Sequence, residues 1–449
     1  MPLAPVKSGM GVTLMVLSLV WAVSAKSAED VDPRPAIPDP LTLDAALNLL
    51  DNEHPNLLTA EAGRARAEAD RLDAASQTGL DARLRARLRW VEPNSNASLQ
   101  QHDDHSLGLT VRKRISDFGL SEARLAASAA GDASAGFAYR DAERQQRIDV
   151  IRAFFDVLES DLLAAWHSEA MQVQFLRQED VVESRNLRES SDLDVARADA
   201  EYQLALARSY TTQATQRSTR QVLAQALNRP RQLPSVVVRP ELALLDRPVP
   251  EEVFPLIDEA LANNAGLRAL EARMQSAQQG LIAARAADGP VLDAEGEMGA
   301  YTRDLGGNDQ MRIGLVLEVP LSTGGKTQAG IAKARAALLD AQAERGRREL
   351  ALRSEVLTLW QELGLAKYHR AEAKANMMLR DMELERSRMQ FEQQVKSNLG
   401  NAMANYTEAE YRAAQADHAL AMAWLRLDAL LGREITLAVE NAPPQGDKP

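Results

Sequence analysis

Polar and apolar residues alternate without a break from Asp81 to Trp90. Arg83, Arg85, Arg87 and Arg89 fall on one side, and Ala82, Leu84, Ala86, Leu88 and Trp90 on the other. Period two predicts a strand with a wet face and a dry face; a helix would spread these arginines around its circumference. Three more segments repeat the pattern. Leu107, Leu109, Val111 and Ile115 oppose Thr110, Arg112 and Arg114, with Lys113 out of place on the apolar side. Asp293, Glu295 and Glu297 oppose Leu292, Ala294 and Met298, while Met311, Ile313, Leu315, Leu317 and Val319 oppose Arg312, Val316 and Glu318. Each run is about 9–11 residues long, which suits a tilted membrane-spanning strand. An apolar outside and a polar inside are what a barrel around water requires. A half-buried sheet in a soluble protein alternates identically, so the strands alone leave both readings open. Four strands also cannot close a barrel, and open edges in lipid cost several kcal/mol per unpaired group. A membrane sheet of this size therefore needs partner chains.

The pattern changes to a helical one between the strand pairs. From about Leu120 to Leu187, and from Lys326 to Gln394, no proline interrupts the chain. Ile148, Ile151, Phe155, Leu158 and Leu162 step by three and four, as do Leu352, Val356, Leu359 and Leu363. That spacing packs long helices along each other. About 70 residues of helix reach roughly 100 Å. Further helices are expected over Leu193–Leu227 and Leu399–Leu431, and shorter ones over Leu43–Ser76 and Glu251–Ala287. Two turns punctuate the helices. Glu189, Ser190, Ser191, Asp192 and Asp194 lie in the first; Lys396, Ser397 and Asn398 lie in the second. Ser191 and Ser397 suit N-cap or near-cap roles. Both turns are predicted at the far end of the helices, roughly 100 Å from the strands.

These elements occur twice. Leu107–Gly119 is matched by Ile313–Gly325, roughly 206 positions later. Val150–Phe154 is matched by Val356–Trp360, Ala200-Glu201-Tyr202 by Ala409-Glu410-Tyr411, and Leu227-Asn228-Arg229 by Leu431-Gly432-Arg433. Any one match between Ala-rich helices is weak, but a collinear series defines a repeat. The expected organisation is a first helix–strand–strand–helix repeat over 41–235, a linker over 236–250, a second repeat over 251–436 and a tail over 437–449.

Composition narrows the function. The net charge of −12 argues against nucleic acid as a partner. The absence of cysteine excludes disulfides, thiolate metal sites and an N-terminal lipid on cysteine. Lys7, the apolar run Gly11–Val23 and the small residues up to Ala25 or Ala28 read as an export signal over 1–28, followed by a linker over 29–40. The alternative is a membrane anchor, for which the run is short.

Several motifs together resemble the TolC-like outer membrane efflux family. They are Leu41-Thr42-Leu43-Asp44-Ala45-Ala46-Leu47 with His54-Pro55-Asn56-Leu57, the strand-to-helix turns Ile115–Gly119 and Val319–Lys326, and Leu430-Leu431-Gly432-Arg433. The resemblance spans about residues 41–436. It implies a mainly α chain with a transmembrane β portion. Three copies would build a twelve-stranded β-barrel in outer membrane lipid, continued by a twelve-helix α-barrel in the periplasm of a Gram-negative bacterium. Such ducts dock on a periplasmic adaptor protein and an inner-membrane pump. The implied function is efflux of small solutes, drugs or metal ions, with no enzyme activity and no cofactor. Arg83, Arg85, Arg87, Arg89, Arg112, Arg114, Asp293, Glu295 and Glu297 would then line the barrel lumen. Glu189, Ser190, Ser191, Asp192, Asp194, Lys396, Ser397 and Asn398 would form the periplasmic tip that meets the adaptor. The tip segment Glu189–Asp194 lacks the glycine common in this family.

Other readings have less support. Gly324-Gly325-Lys326-Thr327 ends like a phosphate-binding loop, but Pro320 stands where its first glycine belongs. His102 and His105 flank two aspartates in an expected loop, where solvation is a simpler reading than a metal site. A duct for type I protein secretion shares the same fold. A periplasmic coiled-coil adaptor is a different class, but it carries one hairpin where two are expected here.

Overall fold

The computed structural model describes residues 35–51, 53–97, 99–303, 309–393 and 398–435. The expected export signal over 1–28, the tail over 437–449 and the tip residues Lys396 and Ser397 lie outside them. The first half runs α1 (Leu43–Asn48), α2 (Pro55–Ser76), β1 (Leu80–Arg87), β2 (Ser106–Ser116), α3 (Leu120–Asn186) and α4 (Asp192–Ala226). The second half runs α5 (Phe254–Asn263), α6 (Ala265–Ala286), β3 (Val291–Tyr301), β4 (Met311–Glu318), α7 (Lys326–Glu392) and α8 (Leu399–Leu430). All belong to one compact unit that begins at Ile37.

The long helices begin and end where local chemistry dictates. α3 and α7 are each 67 residues long, about 100 Å at 1.5 Å per residue. Each follows a left-handed glycine, Gly119 (φ 102°) and Gly325 (φ 84°). The residues before them, Phe118 (φ 53°) and Gly324 (φ 59°), share that conformation. At Phe118 it is strained, since a Cβ disfavours positive φ. The side chain of Asp117 accepts the Ser121 N–H at 3.0 Å and so satisfies one of the free donors of the first turn. At the other end of the repeat, Asn228 (φ 56°) and Gly432 (φ 74°) terminate α4 and α8 in left-handed turns.

Three elements differ from expectation. The helix expected over Leu43–Ser76 breaks before Pro55, which opens α2 while His54 Nδ1 accepts the Asn56 N–H at 3.3 Å. Proline lacks the N–H that would continue a helix and drives its predecessor into extended backbone. The helix expected over Glu251–Ala287 breaks at Asn264, whose extended backbone and side-chain bond to the Leu267 N–H (3.0 Å) start α6. The strand expected to reach Trp90 ends at Arg87; Trp90 forms an isolated bridge to Asp103.

The core lies at mid-height on the helices. Ile148, Ile151, Phe154 and Phe155 of α3 pack with Leu352 and Val356 of α7 and with Trp424 and Leu425 of α8. α3 is central, packed along α2, α4, α6 and α8, whereas α7 packs along α5, α6 and α8. The segment joining the halves is tied to the chain start, with the Leu41 N–H bonded to Val236 O at 2.8 Å and the Val238 N–H to Leu41 O at 2.9 Å. Within that joining segment lies a single 3-10 turn, Ala243–Asp246.

Candidate functional site

The four strands form one antiparallel sheet in the order β1-β2-β3-β4. Its centre joins the two repeats, for β2 pairs with β3. Cross-strand partners share a face, so the register assigns each side chain. One face carries the rows Ala82–Val111–Gly296–Ile313 and Leu84–Leu109–Met298–Met311. It is uncovered: Leu84 is 71% exposed, Ile313 75% and Leu315 70%. Lys113 shares this face, beside Leu80 and Ala294.

The opposite face carries the rows Asp81–Arg112–Glu295–Gly314 and Arg83–Thr110–Glu297–Arg312. Register makes these charges neighbours. Arg112 pairs with Glu295, Arg114 with Asp293 at 3.3 Å, and Arg312 with Glu297 at 3.6 Å. Arg83 reaches Asp81 at 2.7 Å on its own strand. Eight of the nine residues expected to share a polar face therefore do so. Arg89 lies past the end of β1 and pairs with the loop residue Asp104. Asp81 and Arg312 belong to this face although the expected set omitted them; both had been visible in the alternation.

Both edges of the sheet, β1 and β4, are eight residues long and have no strand partner beyond them among the described residues. Unpaired edges with a flat apolar face invite pairing with another chain. The loop beyond β1 is ordered by contacts of its own. Trp90 stacks on His102 with ring centres 5.2 Å apart, and His102 lies 3.4 Å from Glu92. Among the described residues, no cluster of three histidines and acids could hold a metal ion.

The helical turn between α3 and α4 closes through its own side chains. Arg188 adopts the left-handed conformation (φ 65°) in place of the missing glycine. The Glu189 N–H then bonds to Ser184 O at 2.8 Å. Ser191 caps α4: the Asp194 N–H reaches its Oγ at 3.2 Å, and Asp194 Oδ2 accepts the Ser191 N–H at 3.0 Å. The Ser191 hydroxyl and N–H hold the Asp194 carboxyl below its usual pKa. Asp192 is bound by Arg185 at 2.6 Å. Both acids are thus engaged within their own hairpin. In the second turn, Asn398 precedes α8 without a side-chain cap, and its Oδ1 accepts from the Asn401 amide.

Residues 256–433 match the family model of the outer membrane efflux protein. The match lies within the second half of the chain. The same fold recurs in solved outer membrane channels. The CmeC outer membrane channel of Campylobacter jejuni superposes with a TM-score of 0.72 at 14% identity, over 87% of this chain and 85% of that one. The open-state MtrE outer membrane channel of Neisseria gonorrhoeae gives 0.67 at 16% identity, over 89% and 91%. VceC, an outer membrane protein of Vibrio cholerae, gives 0.66 at 17%, over 88% and 97%. No curated protein matches the chain. Among the described residues, no helix is long and apolar enough to cross a membrane.

Sequence reasoning missed one feature. Arg229 is buried (1% exposed) and bonds to Asp51 at 2.8 Å, which pins the end of α4 to the turn between α1 and α2. Its repeat counterpart Arg433 makes two 2.7 Å bonds to Glu259. The match of Leu227-Asn228-Arg229 with Leu431-Gly432-Arg433 was the available signal, but nothing in the sequence named the acids.

Proposed function

We propose that this chain is the outer-membrane duct of a tripartite efflux system, carrying small solutes such as drugs or metal ions from a periplasmic adaptor and inner-membrane pump to the exterior. The sheet carries this reading: one face apolar and uncovered, the other charged, and both edges open. In lipid such a sheet is stable only if its edges are paired, and three copies joined β4 to β1 leave no edge. The apolar face then meets lipid and the charged face meets water. The helices continue the barrel as a periplasmic tunnel whose tips, with Glu189, Ser190, Ser191, Asp192, Asp194, Lys396, Ser397 and Asn398, face the adaptor.

Membrane fractionation with cross-linking tests this reading. The protein should extract from the outer membrane as a homotrimer, and its deletion should raise intracellular drug or metal levels. A monodisperse monomer with full β-structure, or a soluble periplasmic protein, would overturn it. Leu84→Arg on the lipid face should impair insertion by about 2–4 kcal/mol if the residue lies at mid-membrane.

A further inference from the structure

The charges on the polar face are segregated along the strands. The helix-proximal rows hold Asp81, Asp293, Glu295 and Glu318 against Arg112 and Arg114. The loop-proximal rows hold Arg83, Arg85, Arg87 and Arg312 against the single carboxylate Glu297. Acids dominate one end of the face and guanidiniums the other.

Pairing sharpens the contrast. Arg83 and Arg312 have carboxylate partners at 2.7 and 3.6 Å. Arg85 is level with Gly108 and then Gly299, and Arg87 with Ser106 and then Tyr301. Neither row supplies an acid, and among the described residues neither guanidinium has an ion-pair partner. The glycines leave the Arg85 row without side-chain bulk. β4 runs antiparallel to β3 and places Arg312, not Glu318, toward the loop end. A β4 strand closing onto β1 from a second copy would therefore bring Arg312, with its partners Glu297 and Asp309, toward this zone, and keep Glu318 away from it.

We propose that Arg85 and Arg87 form an anion-binding zone at the outer end of the duct, so that the channel prefers anionic solutes and small anions over cations. The inference rests on the reading that the charged face lines the lumen. Unneutralised guanidiniums on a water-facing concave wall raise the local anion concentration and present planar donors to carboxylate, sulfonate or phosphate groups. The preference should be strong at about 0.1 M salt, where the Debye length is about 10 Å, and weak at 1 M.

The test uses the full-length protein in planar bilayers under a KCl gradient. The reversal potential should report chloride over potassium, and the double substitution Arg85→Ser with Arg87→Ser should abolish that preference at low salt. An unchanged reversal potential, or cation preference in the unaltered channel, would overturn the proposal. The lumen reading is checked separately. The chain has no cysteine, so Ser106→Cys, in the Arg87 row, gives a single thiol. A charged methanethiosulfonate should reduce the conductance of that variant. If it does not, the lumen reading fails, and the zone with it. If it does and the arginine substitutions leave selectivity unchanged, only the anion zone fails.

Discussion

The two halves share one element order but differ in what covers their longest helix. α3 buries Ile148, Ile151, Phe154, Phe155 and Leu158 under four neighbouring helices of the same chain. α7 buries Leu352, Val356, Leu359 and Leu363 at the same height but leaves a second stripe bare. Leu339 is 64% exposed, Leu350 70%, Tyr368 76% and Met382 59%. At 100° per residue these positions fall within about 20° of one line along the helix. An apolar stripe of that length is expected to meet another surface. The long helix of the first half is thus covered within the protomer, and that of the second leaves a face that suits a neighbouring copy. Duplication gave two equal frames, and the solvent exposure of one long helix in each distinguishes them.

The largest expected contrast follows from that difference. Phe154→Ala should cost about 3–5 kcal/mol of protomer stability, because the side chain is fully buried and its loss leaves a cavity. Leu350→Ala should change it by no more than about 0.5 kcal/mol. Its effect should appear in association, as a trimer that dissociates at lower detergent concentration. Chemical unfolding and cross-linking separate the two. Equal losses of protomer stability would show that α7 is not an outward helix.

The paired arginines give the next contrast. Arg229→Ala would remove the buried guanidinium from the partly buried Asp51, and removing one member of a buried pair costs about 3–5 kcal/mol. The Arg433 and Glu259 side chains are about one-third exposed, so Arg433→Ala should cost roughly 1 kcal/mol or less. Acid should erase the larger of these. Burial pushes the Asp51 carboxyl up, but bonds from Arg229, Asn228 and the Glu53 N–H outweigh it and leave the pKa lowered. A lowered carboxylate pKa contributes stability above the unfolded value of about 3.9 and loses it as the pH falls through the folded value. The Arg229→Ala penalty, measured by thermal unfolding, should therefore hold from neutral pH down to about 4 and shrink below it.

The same contrast bears on what the sequence could reveal. Period-two alternation made the sheet faces legible residue by residue, because a strand's register fixes every side chain at once. Helix length was legible because nothing interrupts it. Which side of α3 or α7 is covered was not legible, since Leu350 and Leu352 look equally apolar in a sequence and only the neighbours separate them. The breaks at Pro55 and Asn264 were overlooked because the apolar spacing continues across both. Arg89 was placed on the sheet by alternation alone, which cannot register the point where a strand gives way to a loop held by Trp90 and Asp104. Ion pairs between repeats, such as Arg114 with Asp293, depend on β2 meeting β3 across 174 residues of chain or more, and no local pattern encodes that.

The smallest effect concerns the two helical turns at the far end. The first is stabilised locally: Ser191 and Asp194 exchange hydrogen bonds as a capping box, and Arg185 holds Asp192. The second has no such box, since Asn398 gives its side-chain oxygen to Asn401 and not to the backbone of α8. Ser191→Ala should cost about 1 kcal/mol, read as faster amide exchange over the first turn of α4. Asn398→Ala should cost only a few tenths of that in α8. The pair also decides what the acids at the first turn do. If Asp192 and Asp194 serve only their own hairpin, replacing them with asparagine should loosen that turn and leave single-channel conductance unchanged. If they also hold neighbouring hairpins closed, the same replacement should raise conductance at low salt without lowering trimer stability. Exposed ion pairs are each worth about 0.2–1 kcal/mol, so such a gate would open under modest force from an adaptor. Both acids already have partners within their own hairpin, which makes the unchanged conductance the expected result.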